Sequence, residues 1–442
     1  MAYSLNETIY ALSSGGGKGG VAVIRISGKD SLLIFEELTG IKNPKPRYAY
    51  FSALTNKDGI IIDHALSLYF KAPNSFTGED VVEFQVHGGR SVIDMVFQAL
   101  STFKNTRPAE AGEFSRRAVV YGKMDLTSAE GLMDLIDAQT EWQRRQALTQ
   151  MEGKLGSLYE NWRQSLVKDM AYLEAFIDFP EEDIPPEKEK MIDEGIQSLI
   201  NKIEAHLKDN KRGQRLRNGF QIAIIGEPNV GKSSLINLLS EKDVAIVSNQ
   251  AGTTRDVVET CLDINGFPVV LADTAGLRTG ACEIEAEGIK RAVRKAEESD
   301  LILHVCDAAC YPKMSPLPEN LKDIPVKVVW NKSDTVFKKP TDANALFMSA
   351  KTKEGFNELQ NEISSFLMEN FAPDTTGVIT RERYRKALED CLLSLKSALL
   401  APELELKAED LRLAARALAR IVGKIETDEL LDIVFRDFCI GK

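Results

Sequence analysis

A glycine-rich stretch at residues 226–234, GEPNVGKSS, has the residue types and the spacing of a phosphate-binding loop. Gly226 and Gly231 allow backbone conformations in which successive N–H groups point toward one centre. Lys232 can then reach the terminal phosphates of a nucleotide, and the hydroxyl group of Ser233 can bind Mg²⁺. The combination predicts a nucleoside triphosphate site rather than an ordinary glycine turn.

This loop must be held between a buried strand and the start of a helix. The apolar residues 221–225 precede it, and a second apolar run at residues 235–239 follows it. Such a helix would direct the positive end of its dipole toward the phosphates. The local sequence therefore predicts a strand, a phosphate loop and a helix in that order.

Four further motifs follow the loop in the chain, and the first is GTTRD at residues 252–256. DTAG begins at Asp273, directly after the apolar residues 268–272, so its carboxylate is expected at a strand end where it can hold Mg²⁺ through water. NKSD ends at Asp334 and follows a predicted strand at residues 326–330. A carboxylate accepts two hydrogen bonds from the N–H groups of guanine, whereas adenine offers no matching donors, so Asp334 predicts selection of GTP over ATP. The fourth motif is SAK, at residues 349–351.

The order of these motifs resembles that of a Ras-like GTPase, with one departure. Ras-like proteins use a glutamine after the DxxG motif to orient the attacking water, and this chain has Leu277 there. An aliphatic side chain cannot exchange a proton with water. The acidic segment that follows offers Glu283, Glu285 and Glu287 as substitutes, although a solvated helix start would have the same composition.

The rest of the chain predicts a multidomain protein of mixed α/β and all-α parts. Strand composition at residues 21–26, 65–70 and 80–86 and helix periodicity at residues 91–103 indicate an N-terminal α/β domain. Helical segments are predicted at residues 126–158, 162–176 and 188–207 and from residue 380 to the end. The simplest organisation is a helical domain interrupted by the nucleotide domain. The predicted parts are residues 1–120, 121–217, 218–371 and 372–442.

Three other stretches leave alternatives open. Residues 13–20, SSGGGKGG, lack the hydroxyl residue after lysine, so they predict a flexible turn or a small-ligand loop. The basic residues 208–217 fit either a solvated linker or a patch for RNA phosphates. Arg412, Arg416 and Arg420 share one helix face, which is more typical of a solvated face than of a binding stripe.

Composition limits the class of protein. The 442 residues carry a net charge of −11, which argues against non-specific coating of nucleic acid. The six cysteines form no paired secretory pattern, and no apolar run reaches the roughly 18 residues of a membrane span. We therefore expect a cytoplasmic protein with no membrane partner.

The whole chain resembles one family, the MnmE (TrmE) tRNA wobble-uridine modification GTPases. The resemblance runs from VIRISG at residues 23–28 to CIGK at residues 439–442. Between them lie TGED at residues 77–80, HGG at 87–89, RPAEAGEF at 107–114, KMDL at 123–126 and DFPEEDI at 178–184. It implies an N-terminal α+β domain that binds tetrahydrofolate and dimerises, a discontinuous helical domain and an inserted Ras-like GTPase domain.

The resemblance also implies roles for individual residues. Glu285 matches the acid that orients water, and Cys439 matches a cysteine needed for modification, although a lone cysteine in a last helix is otherwise read as a packing residue. The folate contacts correspond to Arg25, Glu83, Lys123 and Lys442. The Mg²⁺ ligands correspond to Ser233 and Thr254, and the K⁺ ligands to Asn229, Ser248, Gln250 and Thr253. The nucleotide contacts correspond to Asn229, Val230, Gly231, Lys232, Ser233, Ser234, Ser248, Asn249, Gln250, Ala251, Gly252, Thr253, Thr254, Asp273, Thr274, Ala275, Gly276, Asn331, Lys332, Ser333, Asp334, Ser349, Ala350 and Lys351.

The implied reaction builds an aminomethyl-type group on the five-position carbon of the wobble uridine. Members of the family work as homodimers with the flavoprotein MnmG and with tRNA, and they use GTP, Mg²⁺, K⁺ and a formyl- or methylene-tetrahydrofolate. A competing hypothesis from another class is a regulatory GTP switch, or a ribosome-assembly GTPase, that binds RNA without modifying it. That hypothesis gives no role to residues 1–120 or to Cys439.

Overall fold

The computed structural model describes residues 6–15, 17–178, 186–209, 211–242, 261–272, 296–337, 345–371, 377–424, 434–435, 438 and 441. The chain divides into two compact units, and two of the boundaries between them fall inside helices. The first unit is Met1–Met133, Gln150–Phe179 and Leu404–Lys442, and the second is Asp134–Thr149 and Pro180–Glu403.

A six-stranded sheet forms the centre of the first unit. Its strands are β1 (Thr8–Leu12), β2 (Gly19–Ser27), β3 (Tyr50–Thr55), β4 (Ile61–Phe70), β5 (Val81–Gly88) and β6 (Thr106–Pro108), in the spatial order β3-β4-β5-β2-β1-β6. Neighbouring strands are antiparallel except β1 and β6, which are parallel. Along β2 the buried Ala22, Ile24 and Ile26 alternate with less buried residues, as expected for a strand with only one face in the core.

Helices α1 (Ser31–Thr39), α2 (Arg90–Ser101) and α3 (Glu113–Val120) belong to the same unit. The buried faces of α1 and α2 share a hydrophobic core with the sheet, including Phe35, Phe84 and Leu100. Arg25 and Glu83 lie on the other face of the sheet, where Arg25 contacts α3 and the β4–β5 connection.

Long helices and the C-terminal tail complete the first unit. Helix α4 (Leu126–Asp137) begins in it, and α6 (Lys154–Asp178) packs along α12 (Leu404–Val422). Phe435 and Phe438 of the tail pack on Leu126 and Ala129 of α4.

The second unit contains a sheet with strands β7 (Phe220–Ile225), β8 (Cys261–Ile264), β9 (Phe267–Ala272), β10 (Leu301–Asp307), β11 (Val326–Asn331) and β12 (Leu346–Phe347). Their spatial order is β12-β11-β10-β7-β9-β8, and all neighbours are parallel except β8 and β9. Six of the seven residues of β10 are buried, as is typical of a parallel strand covered on both faces. The chain order reverses around β7, so the carboxyl end of β7 is the expected position of a ligand.

The helices of the second unit are α5 (Glu141–Met151), α7 (Pro186–Leu207), α8 (Arg212–Asn218), α9 (Lys232–Lys242), α10 (Phe356–Phe371) and α11 (Glu382–Leu400). Helix α5 packs on the β8–β9 hairpin, where the centre of the Trp142 ring lies 5.6 Å from that of the Phe267 ring. The backbone N–H of Trp142 donates to the carbonyl of Gly266. Within the described residues, no helix is long and apolar enough to cross a membrane.

Most predicted elements are confirmed. The prediction of one continuous helix at residues 126–158 is wrong. The structure has α4 and α5 there, and α6 continues past residue 158. A capping box explains one break, because Gln143 accepts from the Thr140 N–H while the Thr140 hydroxyl accepts from the Gln143 N–H. The next break comes at Gly153, whose φ of +81° suits a helix end. The basic stretch 208–217 contains α8, where Arg215 and Arg217 are paired with Asp300 and Asp134.

Candidate functional site

The phosphate loop leaves the carboxyl end of β7 and enters α9, as the sequence predicts. Gly231 has φ +98°, and a Cβ atom there would collide with the side-chain amide of Asn331, so glycine is required. Lys232 Nζ donates to the carbonyls of Gly226 and Glu227, each at 2.7 Å, which holds the ammonium group at the loop. Burial lowers the pKa of Lys232.

Hydrogen bonds of the Asn331 side chain connect the predicted base-recognition motifs to the phosphate loop. Its Nδ2 atom donates to the carbonyl of Val230 at 2.8 Å, and its Oδ1 atom accepts from the Ala350 N–H at 3.0 Å. Asn331 is only 1% exposed, so these two hydrogen bonds satisfy a buried amide. The phosphate loop, the NKSD motif and the SAK motif therefore meet at one edge of the sheet.

A hydrogen bond from the SAK motif holds the side chain of Asp334. The buried hydroxyl of Ser349 donates to Asp334 Oδ1 at 2.6 Å, and the Asp334 residue itself is exposed. Lys332 has φ +63° and forms an ion pair with Asp307 across 2.9 Å. Sequence reasoning missed Asp307, although its position directly after the mostly apolar run at residues 301–306 was a usable signal. The structure places it beside Asn331.

Side-chain oxygen atoms around the loop are of the kinds that bind Mg²⁺ and K⁺. The hydroxyl of Ser233 is exposed at the start of α9, and hydroxyl oxygen is a ligand that Mg²⁺ accepts. Asn229 lies in the loop with φ +64° and an exposed side chain whose amide oxygen can bind K⁺. Ser234 is exposed beside Ser233, and Lys351 is exposed beside Ala350.

A second group of predicted residues lies on the N-terminal sheet. Arg25 of β2 and Glu83 of β5 are register partners, and their side chains form an ion pair at 2.9 Å. The guanidinium carbon of Arg25 lies 5.2 Å from the ring centre of Phe76 and 5.8 Å from that of Phe114. Both distances are in the range of cation–π contacts. The sequence did not single out these two rings.

Lys123 approaches the same part of the domain. Its Nζ atom donates to the carbonyl of Pro73 at 2.8 Å, and its side chain packs over Gly78. Pro73 and Gly78 lie in the connection between β4 and β5, which also carries Phe76. Lys123 therefore contacts the same β4–β5 connection whose Phe76 ring lies near Arg25.

The C-terminal tail reaches this domain as well. A Cβ atom on Gly112, just before α3, would collide with Phe435 and Phe438, so the tail lies close to the start of α3. Farther along, the hydroxyl of Ser13 donates to the carbonyl of Gly441 at 2.8 Å. These described residues place the tail at the β1–β2 connection and at α3.

Other predicted site residues lie outside the described residues. These are Ser248, Asn249, Gln250, Ala251, Gly252, Thr253, Thr254, Asp273, Thr274, Ala275, Gly276, Glu285, Cys439 and Lys442. Leu277, Glu283 and Glu287 also lie outside them. Their roles stay predictions.

Comparison with known proteins gives the family. Residues 8–123 match the model of the GTP-binding protein TrmE N-terminus, and residues 126–439 match that of the MnmE helical domain. The chain is 47% identical over 442 residues to a tRNA modification GTPase MnmE of Paramagnetospirillum magneticum, with 99% of this chain and 100% of the relative covered. A relative with the same description from Rickettsia bellii is 44% identical over 447 residues, with the same coverage. The chain belongs to the MnmE family of tRNA modification GTPases.

Proposed function

We propose that this chain is a potassium-dependent GTPase that modifies wobble uridine in tRNA, working with the flavoprotein MnmG in the cytoplasm. Its product would carry an aminomethyl-type group, such as carboxymethylaminomethyl, on the five-position carbon. The observation that supports this most is that the predicted residues gather in two separate groups. One is the set of nucleotide loops joined by Asn331, and the other is the Arg25–Glu83 pair with the C-terminal tail nearby. A simple GTP switch needs only the first.

In the nucleotide site, the residues of this chain bind and orient GTP. The loop amides and Lys232 hold the phosphates, and Asp334, oriented by Ser349, accepts from the guanine N–H groups. Mg²⁺ would be held by Ser233 and Thr254 and would supply positive charge toward the phosphate oxygens. Glu285 would orient the water, because Leu277 cannot.

Potassium would supply the charge that an arginine supplies in other GTPases. Asn229, Ser248, Gln250 and Thr253 offer uncharged oxygen donors, which suit a large monovalent cation. Two copies of the GTPase domain meeting face to face would enclose this cation. A homodimer is also supported by the N-terminal sheet, where Phe51 on the edge strand β3 is 75% exposed and Ile61 is 55% exposed.

At the N-terminal site, the charged groups fit a tetrahydrofolate derivative. A pterin ring presents neighbouring N–H groups that can donate hydrogen bonds to the carboxylate of Glu83. Arg25, which is paired with Glu83 at 2.9 Å, would contact the same end of the ligand, while Lys123 and Lys442 would supply cations for its carboxylate tail. A formyl- or methylene-tetrahydrofolate would supply the one-carbon unit. Residues 1–120 would form this domain, residues 218–371 the GTPase domain, and residues 121–217 and 372–442 the helical domain. GTP hydrolysis would then drive movement rather than take part in the uridine chemistry.

GTP hydrolysis by the full-length protein in K⁺ or Na⁺ tests the potassium mechanism. We expect faster hydrolysis in K⁺, and we expect Glu285→Ala to lose roughly 10² to 10⁴ in rate while it retains GTP affinity. Equal rates in the two salts would remove potassium from the mechanism. A fully active Glu285→Ala variant would transfer the role of orienting water to Glu283 or Glu287.

A further inference from the structure

A buried ion network surrounds Arg117 of α3 in the N-terminal domain. Arg117 is fully buried, and its Nη1 atom donates to both carboxylate oxygens of Glu79, at 3.1 and 3.0 Å. Its Nη2 atom donates to Glu113 at 3.0 Å, and Glu113 accepts two further hydrogen bonds from Arg107, at 2.8 and 2.7 Å. One guanidinium group thus joins carboxylates from two separate parts of the chain.

The network also contacts the strand that carries Arg25. Glu79 Oε2 accepts from the hydroxyl of Ser27 at 2.7 Å, and that hydroxyl lies 2.7 Å from the hydroxyl of Thr77. Ser27 and Arg25 are two residues apart on β2, so their side chains point to the same face of the sheet. The network therefore lies next to the Arg25–Glu83 pair.

The parts that Arg117 joins are those that supply the two rings near Arg25. Phe76 lies in the β4–β5 connection, between Pro73, which binds Lys123, and Glu79, which binds Arg117. Phe114 belongs to α3, one residue after Glu113. A shift between the connection and α3 would therefore move one ring relative to the other and relative to Arg25.

We propose that Arg117 is a positioning residue of the N-terminal ligand site: it fixes the β4–β5 connection against α3, so that Phe76, Phe114 and Lys123 are arranged around Arg25 before the ligand binds. The ligand class rests on the proposed folate function. The positioning of the connection rests only on the network. Arginine suits this role because its planar fork can bind two carboxylates at once, which the single ammonium group of lysine cannot do with the same geometry.

The cost of such a network favours positioning over simple stabilisation. Two carboxylates and a guanidinium group lose water when they are buried, and apolar residues of similar volume often stabilise a fold equally well. A well-organised site also binds its ligand more tightly, since less ordering is needed on binding. The buried charges are therefore better explained by a role in ordering the ligand site than by a role in stabilising the fold.

Two conservative variants and one matched control test the proposal in the full-length protein. Arg117→Lys keeps the charge, and Glu79→Gln keeps the size of the side chain that anchors the connection. The control is Glu7→Gln, which weakens the ion pair between Glu7 and Arg107 and changes no residue of the β4–β5 connection. We would measure 5-formyltetrahydrofolate affinity by calorimetry, hydrogen exchange of residues 71–80 by mass spectrometry, and thermal unfolding.

We expect Arg117→Lys and Glu79→Gln to weaken 5-formyltetrahydrofolate binding at least tenfold and to accelerate exchange in residues 71–80. These effects should appear well below the unfolding temperature, and Glu7→Gln should resemble the wild type. Unchanged affinity and unchanged exchange in both folded variants would overturn the proposal and reduce Arg117 to a stabilising role. If the wild type binds no 5-formyltetrahydrofolate, the folate function fails, and hydrogen exchange alone decides the positioning role.

Discussion

Arg217 and Arg381 donate hydrogen bonds to the same atom, Oδ1 of Asp134, each across 2.8 Å. Arg217 lies in α8 just before β7, and Arg381 is the residue that precedes α11. All six strands of the second sheet lie between these two arginines in the chain, so residues on both sides of the sheet sequence bind the carboxylate of Asp134. Both ends of this domain are fixed at a single point on α4.

We expect Asp134→Ala to destabilise the second unit by roughly 3 kcal/mol, because the substitution leaves two guanidinium groups without their shared partner. Urea unfolding at pH 7 measures this change. Glu382→Ala is the matched control, since it removes only an exposed hydrogen bond to Gln214 and should change stability by less than about 0.5 kcal/mol. Equal effects of the two substitutions would contradict the role of Asp134.

Base selection should depend on Asp334 and on the hydroxyl that orients it. Asp334→Asn should weaken GTP binding and admit xanthine nucleotides, because the amide presents a donor where guanine also presents one. Ser349→Ala should weaken GTP binding by about tenfold, since it removes the hydrogen bond to the carboxylate. Titration with fluorescent nucleotides measures both effects. The exposed Asp323, replaced by asparagine, serves as the control, and unchanged GTP affinity in Asp334→Asn would exclude Asp334 from base recognition.

Acid should weaken the N-terminal domain through Glu113. Burial pushes the pKa of Glu113 upward, but hydrogen bonds from Arg107 and from the Glu110 N–H, with the charge of Arg117, outweigh burial and hold the pKa below its usual value. A group with a lowered folded pKa stabilises the fold above its unfolded pKa, of about 4.3, and loses that contribution as the pH falls toward the folded value. Hydrogen exchange in α3 should therefore accelerate as the pH is lowered below about 4, after correction for intrinsic rates. Glu113→Gln should lack this dependence, and the same acid response in the variant would refute the assignment.

Cys439→Ser should leave GTP hydrolysis nearly intact and abolish tRNA modification. The described tail residues Phe438 and Gly441 belong to the first unit, which carries the proposed folate site, whereas the phosphate loop belongs to the second. Phosphate release and mass spectrometry of tRNA nucleosides measure the two activities. Cys310→Ser, which changes an exposed thiol, is the control. Normal modification by Cys439→Ser would leave Cys439 with a packing role alone.

The nucleotide loops could be predicted from the sequence because each motif combines a local backbone requirement with a local chemical group. Gly231 and Lys232 are examples, since the glycine permits the turn and the lysine follows it directly. The hydrogen bond from Asn331 to Val230 could not be predicted in the same way, because it joins residues from different loops. The sequence does not show which strand ends become neighbours.

The N-terminal site was harder to predict for the same physical reason. Arg25 and Glu83 were named through a family resemblance, whereas Phe76, Phe114 and Arg117 became visible only when β2, α3 and the β4–β5 connection were brought together. The break between α4 and α5 was missed although its signal is local. Thr140 and Gln143 form a capping box there, and helix periodicity on both sides obscured it.

Mass spectrometry of the wobble uridine in tRNA tests the proposed function most directly. Cells that lack this protein should lose the five-position aminomethyl-type group, and the full-length wild-type protein should restore it. Asp334→Asn should fail to restore it at equal protein levels, because GTP binding is impaired. Wobble uridine that is equally modified in cells with and without the protein would contradict a role in this modification.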